Sequence, residues 1–134
     1  MSRTLLLIGG NSGIGLALSG LLRGQGDTVI STTRASDADD PSHRRFDALA
    51  PGPLELPPAL DGLVYFPGTV TLKPFHRTSE DDFLRDFRIN CLGAAHVIQA
   101  ALPALKAAPA ASIILFSTVA VAQGMAFHAS IAAG

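Results

Sequence analysis

Three glycines at fixed intervals constrain this sequence more than any other feature. Gly9, Gly13 and Gly15 follow the apolar run Thr4–Ile8 and stand where an amphipathic segment, Gly13–Arg23, begins. A short apolar run that ends at glycine is typical of a strand buried on both faces, as in a parallel sheet. Apolar residues at helical spacing then indicate a helix. The sequence therefore predicts a strand, a tight glycine turn and a helix in direct succession.

The glycine turn has the features of a site for the pyrophosphate of a dinucleotide. Gly9 lets the chain leave the strand in a tight turn, Gly13 lets the backbone approach a pyrophosphate, and Gly15 lets the helix pack close to the sheet. The helix start adds free N–H groups and the positive end of the helix dipole. The predicted ligand contacts in this turn are Gly9, Asn11, Ser12, Gly13, Ile14 and Gly15.

Other ligands remain alternatives at this turn. A P-loop is excluded because no Gly-Lys-Ser or Gly-Lys-Thr follows the glycines. A turn that binds nothing, a different nucleotide and S-adenosylmethionine all stay open.

The charge balance indicates that any anionic ligand is held by local contacts and is not attracted by an overall positive charge. The formal net charge is −1, so we expect neither nucleic acid nor an anionic membrane as a partner. Hydrophobic residues make up 48% of the chain and charged residues 16%, which suffices for one core. The first apolar run ends at Gly9, too early for a signal peptide or a membrane span.

Residues that bind metals are sparse. The single cysteine, Cys91, excludes an intrachain disulfide and a four-cysteine metal site. Its place in a predicted helix favours a small buried side chain, and one cysteine fits a cytoplasmic protein. The spacings of the four histidines suggest no metal site, so we expect no bound metal.

Strand and helix patterns alternate along the rest of the chain. The further predicted strands are Thr28–Thr33, Arg45–Phe46, Gly62–Phe66 and Ser112–Phe116. A capping-box pattern at Thr78–Asp82 starts a long helical stretch that runs to Ala108. We expect a bend in it at Asn90–Gly93, a kink or interruption at Pro103, and a further helix from Ala126. The alternation predicts one α/β domain over residues 1–134, with a Rossmann-type doubly wound parallel sheet.

The last predicted strand of this sheet is apolar toward both faces, and no later strand remains to pair with its far edge. An exposed apolar edge favours aggregation. We therefore expect a sheet truncated after the fifth strand, in a domain that is incomplete at its C-terminus. An oligomer that covers the edge is the alternative.

Several motifs together resemble the short-chain dehydrogenase/reductase family, over essentially the whole chain. The spacing Gly9-x-x-x-Gly13-x-Gly15 is similar to the family pattern TGxxxGxG, with Ile8 in place of the threonine. Asp47 resembles the family's aspartate that contacts the adenine ring, and Gly68 matches the glycine of Asn-Asn-Ala-Gly.

The stretch Asn90-Cys91-Leu92-Gly93 stands in the place of the family's Asn-x-x-Gly. By resemblance, Asn90 sits at a helix bend and helps a water-linked proton relay. The resemblance implies hydride transfer between a nicotinamide cofactor and a carbonyl or alcohol carbon of a small-molecule substrate. It also implies homo-oligomers that pack through the long helices corresponding to Phe83–Ala108.

The end of the second predicted strand favours NADP over NAD. Enzymes that use NAD place a carboxylate there for the ribose hydroxyls. This chain has Thr33 and then Arg34. No carboxylate is present to repel a 2′-phosphate, and Arg34 can form charge-assisted hydrogen bonds with one. Because Thr33 and Arg34 place no carboxylate at the ribose position, they also disfavour S-adenosylmethionine as the ligand.

The catalytic residues fit the family only in part. Thr118 takes the place of the serine that holds the substrate oxygen, so the predicted catalytic residues are Asn90 and Thr118. The family's tyrosine falls on Ile131 or Ser130, depending on the alignment, and its lysine falls on Gly134 or directly after it. The chain therefore lacks the proton-transfer pair, for which His128 is a candidate replacement acid.

Two functions follow from these residues. The first is an NADP-dependent oxidoreductase of this family, or an inactive fragment of one. The second is a non-catalytic dinucleotide-binding protein or sensor on the same fold, because fold alone does not decide function.

Overall fold

A parallel sheet organises the part of the chain that the computed structural model describes, namely residues 2–10, 13–33, 43–50, 52, 54–69, 71–117 and 126–133. Its strands are β1 (Thr4–Ile8), β2 (Thr28–Thr33), β3 (His43–Arg45), β4 (Gly62–Tyr65) and β5 (Ser112–Leu115). They lie in the order β3-β2-β1-β4-β5. Every neighbouring pair is parallel, as the sequence predicts.

Helices connect the strands. They are α1 (Gly13–Gly24), a 3₁₀ turn (Phe75–Arg77), α2 (Glu80–Phe87), a π-helical turn (Arg88–Leu92), α3 (Gly93–Ala107) and α4 (Ala129–Ala133). The π-helical turn joins α2 to α3 without a break, at the place where the sequence predicts a bend. None of the helices described here is long and apolar enough to cross a membrane.

The central strand β1 divides the core into two layers. Leu6 and Ile8 belong to the layer that also contains Val97 and Ala101 of α3. Leu7, between them in sequence, faces the opposite layer, where Leu18 of α1 packs. Alternate residues of a strand point to opposite faces, so helices cover both sides of the sheet. The predicted doubly wound architecture is confirmed.

The strand order reverses beside β1. The chain moves from β1 outward to β2 and β3, then crosses back to β4 on the other side of β1. Ile8 and Tyr65 are register partners, so β1 and β4 end side by side. In open parallel sheets, ligands bind in the crevice at the carboxyl ends of the strands where the order reverses. The fold therefore defines one place for a site.

Two local features differ from the prediction. Of the kink or interruption expected at Pro103, the interruption is absent, because the helix α3 continues through this residue. Pro103 and Gln99 are both exposed, so the carbonyl that loses its N–H partner faces water. Cys91 is exposed, not buried. The buried positions nearby are Gly93 and Ala94.

Strand boundaries differ slightly from the predicted ones. The third strand is His43–Arg45, where the sequence predicts Arg45–Phe46, because it pairs in register from Ser31 to Thr33 of β2. The strands β4 and β5 each end one residue earlier than predicted. The final helix begins at Ala129.

The strand β5 is exposed on both faces, although its apolar sequence is typical of a strand buried on both faces. Ile114 is 52% exposed and Leu115 is 54% exposed. Within the described residues β5 pairs only with β4.

An ionised carboxylate at the start of α2 makes the stability of the fold depend on pH. Ser79 and Asp82 form a capping box, and Lys73 Nζ lies 2.8 Å from Asp82 Oδ2. Lys73 and the Ser79 backbone N–H lower the pKa of Asp82 to about 2. A lowered folded-state pKa contributes stability that is present above about pH 4 and is lost as pH falls through about 2.

We expect the free energy of unfolding to fall over this acid range, measured by urea denaturation at a series of pH values. Asp82→Asn should make the fall shallower, because it removes the titrating group. Asp81→Asn, at the exposed neighbouring position outside the capping box, is the matched control and should leave the slope unchanged. An equal loss of slope in both variants would contradict the assignment to Asp82.

Candidate functional site

The glycine turn is held against the ends of three strands. Gly9 has a φ of +81°, a backbone conformation that side chains with a Cβ rarely adopt. Its N–H donates to Thr32 Oγ1 of β2 at 3.0 Å. A Cβ on Gly9 would lie 3.4 Å from Pro67, just beyond β4. The turn is thereby fixed between β2 and β4.

Gly15 allows α1 to begin directly on this turn. A Cβ at Gly15 would lie 2.6 Å from the Gly9 carbonyl oxygen, closer than any real contact of that kind. Gly13 is different: its φ is +55° and a Cβ there would meet no heavy atom of the described residues within 4 Å. The backbone around Gly13 is therefore open to an incoming group, while Gly15 is closed by the turn itself.

A cleft of about 910 Å³ opens where the strand order reverses. Residues from five separate stretches of the sequence line it. Those that the sequence predicts as cofactor contacts are Gly9, Ile14, Gly15, Thr33, Asp47 and Gly68. Gly13 is described but does not line the cleft, and Asn11, Ser12, Arg34 and Thr118 lie outside the described residues.

Asp47 is placed at the cleft by the segment that follows β3. The Phe46 N–H donates to the Thr33 carbonyl oxygen at 2.9 Å, which carries the β3 pairing one residue further. Asp47 Oδ1 then accepts the Leu49 N–H at 2.9 Å. This local hydrogen bond fixes the side chain and leaves Oδ2 without a hydrogen bond among the described residues.

Asn90 lies behind the wall of the cleft. Its Nδ2 donates to Thr69 Oγ1 at 3.2 Å, and Thr69 lines the cleft. A Cβ on Gly68 would lie 3.8 Å from Asn90 Oδ1, so two residues distant in sequence meet here. Asn90 Oδ1 is buried and has no hydrogen-bond partner among the residues that the structure describes. The amide is therefore positioned with one acceptor still unused.

The π-helical turn that carries Asn90 is held by Tyr65. The Tyr65 hydroxyl donates to the Ile89 carbonyl oxygen. A Cβ at Gly93 would overlap the same hydroxyl oxygen and the Ala48 Cβ, so any larger residue would require these side chains to move. Burial raises the pKa of the Tyr65 phenol, with a smaller contribution from Cys91. The sequence shows that Tyr65 replaces a family asparagine but gives no sign of this contact.

The sequence analysis also missed Asp86. Its side chain is fully buried, and Thr71 Oγ1 donates to Oδ1 at 3.0 Å. Thr71 lines the cleft, whereas Asp86 Oδ2 has no hydrogen-bond partner in the described part of the chain. Asp86 therefore orients the Thr71 hydroxyl from behind the wall of the cleft. In the sequence, the one indication of a role for Asp86 is that an acidic residue stands next to the apolar face of a predicted helix.

The candidate proton donors near the C-terminus do not reach the cleft. His128 is not among its lining residues, and its Nδ1 lies 2.5 Å from the Ala126 carbonyl oxygen. Ser130 is buried within α4. In the described residues no group of three or more His, Cys, Asp or Glu side chains is placed to hold a metal ion.

A parallel α/β sheet with a glycine turn and a cleft at its reversal point defines the class of Rossmann-type nucleotide-binding domains. Within that class, the family model described as Enoyl-(Acyl carrier protein) reductase matches residues 54–133, more than half of the chain. The chain belongs to the short-chain dehydrogenase/reductase family of oxidoreductases. No curated protein matches it.

Solved structures share the fold. A short chain dehydrogenase from Salmonella enterica subsp. enterica serovar Typhi has a TM-score of 0.87 at 22% identity, covering 98% of this chain and 64% of its own. One from Shigella flexneri has a TM-score of 0.86 at 22% identity, with coverages of 98% and 61%. A glucose/ribitol dehydrogenase of this family from Brucella melitensis has a TM-score of 0.81 at 26% identity, with coverages of 98% and 62%. The chain thus spans less than two thirds of the length of these proteins.

Because a Cβ at Gly15 would overlap backbone atoms, we expect alanine substitutions at two glycines of α1 to change the free energy of unfolding in opposite directions. Gly15→Ala should lower the free energy of unfolding by about 1–3 kcal/mol, because the new Cβ overlaps backbone. Gly20→Ala, at an exposed position with open space around it, should raise it by about 0.5–1 kcal/mol. Urea denaturation measures both. Equal stabilities of the two variants would contradict the described contact.

The contact between Tyr65 and the π-helical turn predicts coupled effects. Tyr65→Phe removes the donor to the Ile89 carbonyl and should cost about 1–2 kcal/mol of unfolding free energy. Gly93→Ala should cost less in the Tyr65→Phe background than in the wild type, because the overlapping oxygen is gone. A double-mutant cycle of denaturation measurements gives the coupling, and strictly additive effects would contradict it.

Proposed function

We propose that the cleft binds NADP(H) and that the chain serves an oxidoreductase that transfers hydride between the nicotinamide and a carbonyl or alcohol carbon of a small molecule. One observation carries this proposal. Six predicted cofactor contacts, dispersed from Gly9 to Gly68 in the sequence, line a single cleft at the reversal point of the sheet. Family membership supplies the reaction class.

The residues present fit a dinucleotide. Near the start of α1, Gly9 and Gly15 leave backbone at the surface of the cleft, and a helix N-terminus favours the negative charge of a pyrophosphate. Asp47 Oδ2 is an unused acceptor for an amino group of a base. Gly68 would leave room beside the end of β4. When bound, the nicotinamide ring supplies or accepts the hydride.

The choice of NADP rests on the end of β2. Thr32 is engaged with Gly9, and Thr33 lines the cleft. The strand contains no carboxylate that would accept from a ribose 2′-hydroxyl or repel a 2′-phosphate. Arg34 follows Thr33 directly in the sequence. A guanidinium beside the ribose subsite favours the phosphorylated cofactor.

The catalytic roles remain those that the family resemblance suggests. We propose that Thr118 holds the substrate oxygen and that Asn90 supports a proton relay, for which its buried Oδ1, without a partner among the described residues, is available. Tyr65 has no part in proton transfer, because its hydroxyl is buried and bonded to backbone.

Apolar side chains on the outer helices support self-association. Leu84 and Phe87 of α2 and Leu102 of α3 are each about two-fifths exposed. Exposed apolar patches on helices favour protein interfaces. We propose a homo-oligomer that packs through this surface, as the family resemblance implies. A cytoplasmic location is proposed from the single cysteine.

A non-catalytic dinucleotide-binding protein is the second candidate. The burial of two hydroxyl groups favours this function. Tyr65, the only tyrosine in the sequence, is buried at the end of β4, and Ser130 of α4 is buried as well, so neither hydroxyl is exposed to donate a proton to a substrate. Turnover measurements on a broad panel of carbonyl and alcohol substrates distinguish the two functions. Saturable cofactor binding with no hydride transfer on any substrate would favour the second.

Arg34→Ala tests the proposed cofactor. We expect the Kd for NADPH, measured by fluorescence titration, to rise about 10-fold, because a charge-assisted contact with the 2′-phosphate is lost. The Kd for NADH should stay within about 2-fold, since NADH has no such phosphate. Arg77→Ala, which removes an exposed arginine in the 3₁₀ turn, is the control for loss of charge. Equal weakening of NADPH and NADH by Arg34→Ala would remove the argument for NADP.

A further inference from the structure

Arg85 is a cation at the cleft that the proposed function does not use. It lies on α2, is exposed, and lines the cleft together with Asp47, Ala48 and Leu49. No hydrogen bond or ion pair of its guanidinium occurs among the described residues. With respect to the described residues, the group is therefore available to a ligand without first breaking an internal contact.

A side groove shows on which flank of the cleft Arg85 lies. The groove has a volume of about 310 Å³, and its lining includes Leu49, Arg85 and Arg88. Leu49 and Arg85 line both the groove and the main cleft. Arg85 thus stands close to the segment that follows β3, beside the end of β2, where a dinucleotide's adenosine half binds in this type of sheet.

The residues around Arg85 could bind a planar aromatic base. Ile89 follows Arg85 by four residues on the continuous helical stretch, which places both on one face toward the cleft. Ala48 and Leu49 supply apolar surface from the segment after β3. Asp47 adds a hydrogen-bond acceptor through Oδ2. Apolar walls with one acceptor and one cation fit an aromatic base that carries an amino group.

We propose that Arg85 is a binding residue for the adenine base, packing its guanidinium on the ring while Asp47 accepts from the amino group. The inference rests on the proposed function, since it requires a dinucleotide in the cleft. A guanidinium is planar and weakly hydrated, and it stacks on aromatic faces better than an ammonium does. Arg34 then recognises the 2′-phosphate and Arg85 the base, so the two arginines have separable roles.

Isothermal titration of the 134-residue chain with 5′-ADP and with 2′,5′-ADP tests this assignment. Arg85→Ala should weaken the binding of both nucleotides about 10-fold, because both contain adenine. Arg85→Lys should recover only a small part of that loss. Arg88→Ala is the matched control, because Arg88 lies on the same helical stretch and lines the side groove but not the cleft. It should change both affinities less than about 2-fold.

The other outcomes are each decisive. If Arg85→Ala weakens only 2′,5′-ADP, Arg85 contacts the 2′-phosphate and the assignment to the base is overturned. If Arg85→Ala binds both nucleotides as the wild type does, Arg85 has no role, and the proposed function still stands. If the folded wild-type chain binds neither nucleotide, the proposed cofactor site itself is refuted and the role of Arg85 with it.

Discussion

The close approach of α1 to the turn after β1 is the contact on which the rest of the site depends. It requires glycine at position 15, where any Cβ would overlap the Gly9 carbonyl oxygen. Gly9 in turn bonds to Thr32 of β2 and packs against Pro67 beyond β4. One glycine contact therefore aligns the helix N-terminus with the ends of three parallel strands. The cleft at the strand ends therefore results from backbone geometry, and the side chains that line it determine which ligand it can bind.

The wall of the cleft next to β4 contains polar groups that a stability-optimised core would not hold. Asn90 Oδ1 and Asp86 Oδ2 are both buried and have no hydrogen-bond partner within the described ranges, and a buried polar group left unsatisfied costs about 1–3 kcal/mol. Both lie on the continuous stretch from α2 into the π-helical turn, and each residue bonds a threonine that lines the cleft. Departures from regular helix geometry and buried polar atoms are common at functional sites, so their coincidence here supports a functional role for this wall.

Much of the fold and part of the site could be predicted from the sequence, for physical reasons. Apolar runs such as Thr4–Ile8 report a buried strand directly, and the glycine spacing reports a close backbone approach, because both are local properties. The Tyr65 contact with Ile89 and the burial of Asp86 depend on pairing between distant segments, which periodicity does not encode. Cys91 was misjudged because a helical pattern does not show which residues turn outward in a π-helical turn.

The central claim is that a nicotinamide dinucleotide occupies the cleft formed by the glycine turn, the segment after β3 and the end of β4. Amide hydrogen exchange of the folded 134-residue chain, with and without saturating NADPH, tests it most directly. Binding as proposed should slow exchange around Gly9–Gly15, Asp47–Leu49 and Gly68, while the exposed strand β5 exchanges as before. No protection in a chain that circular dichroism shows to be folded, or protection confined to β5 and α4, would contradict the claim.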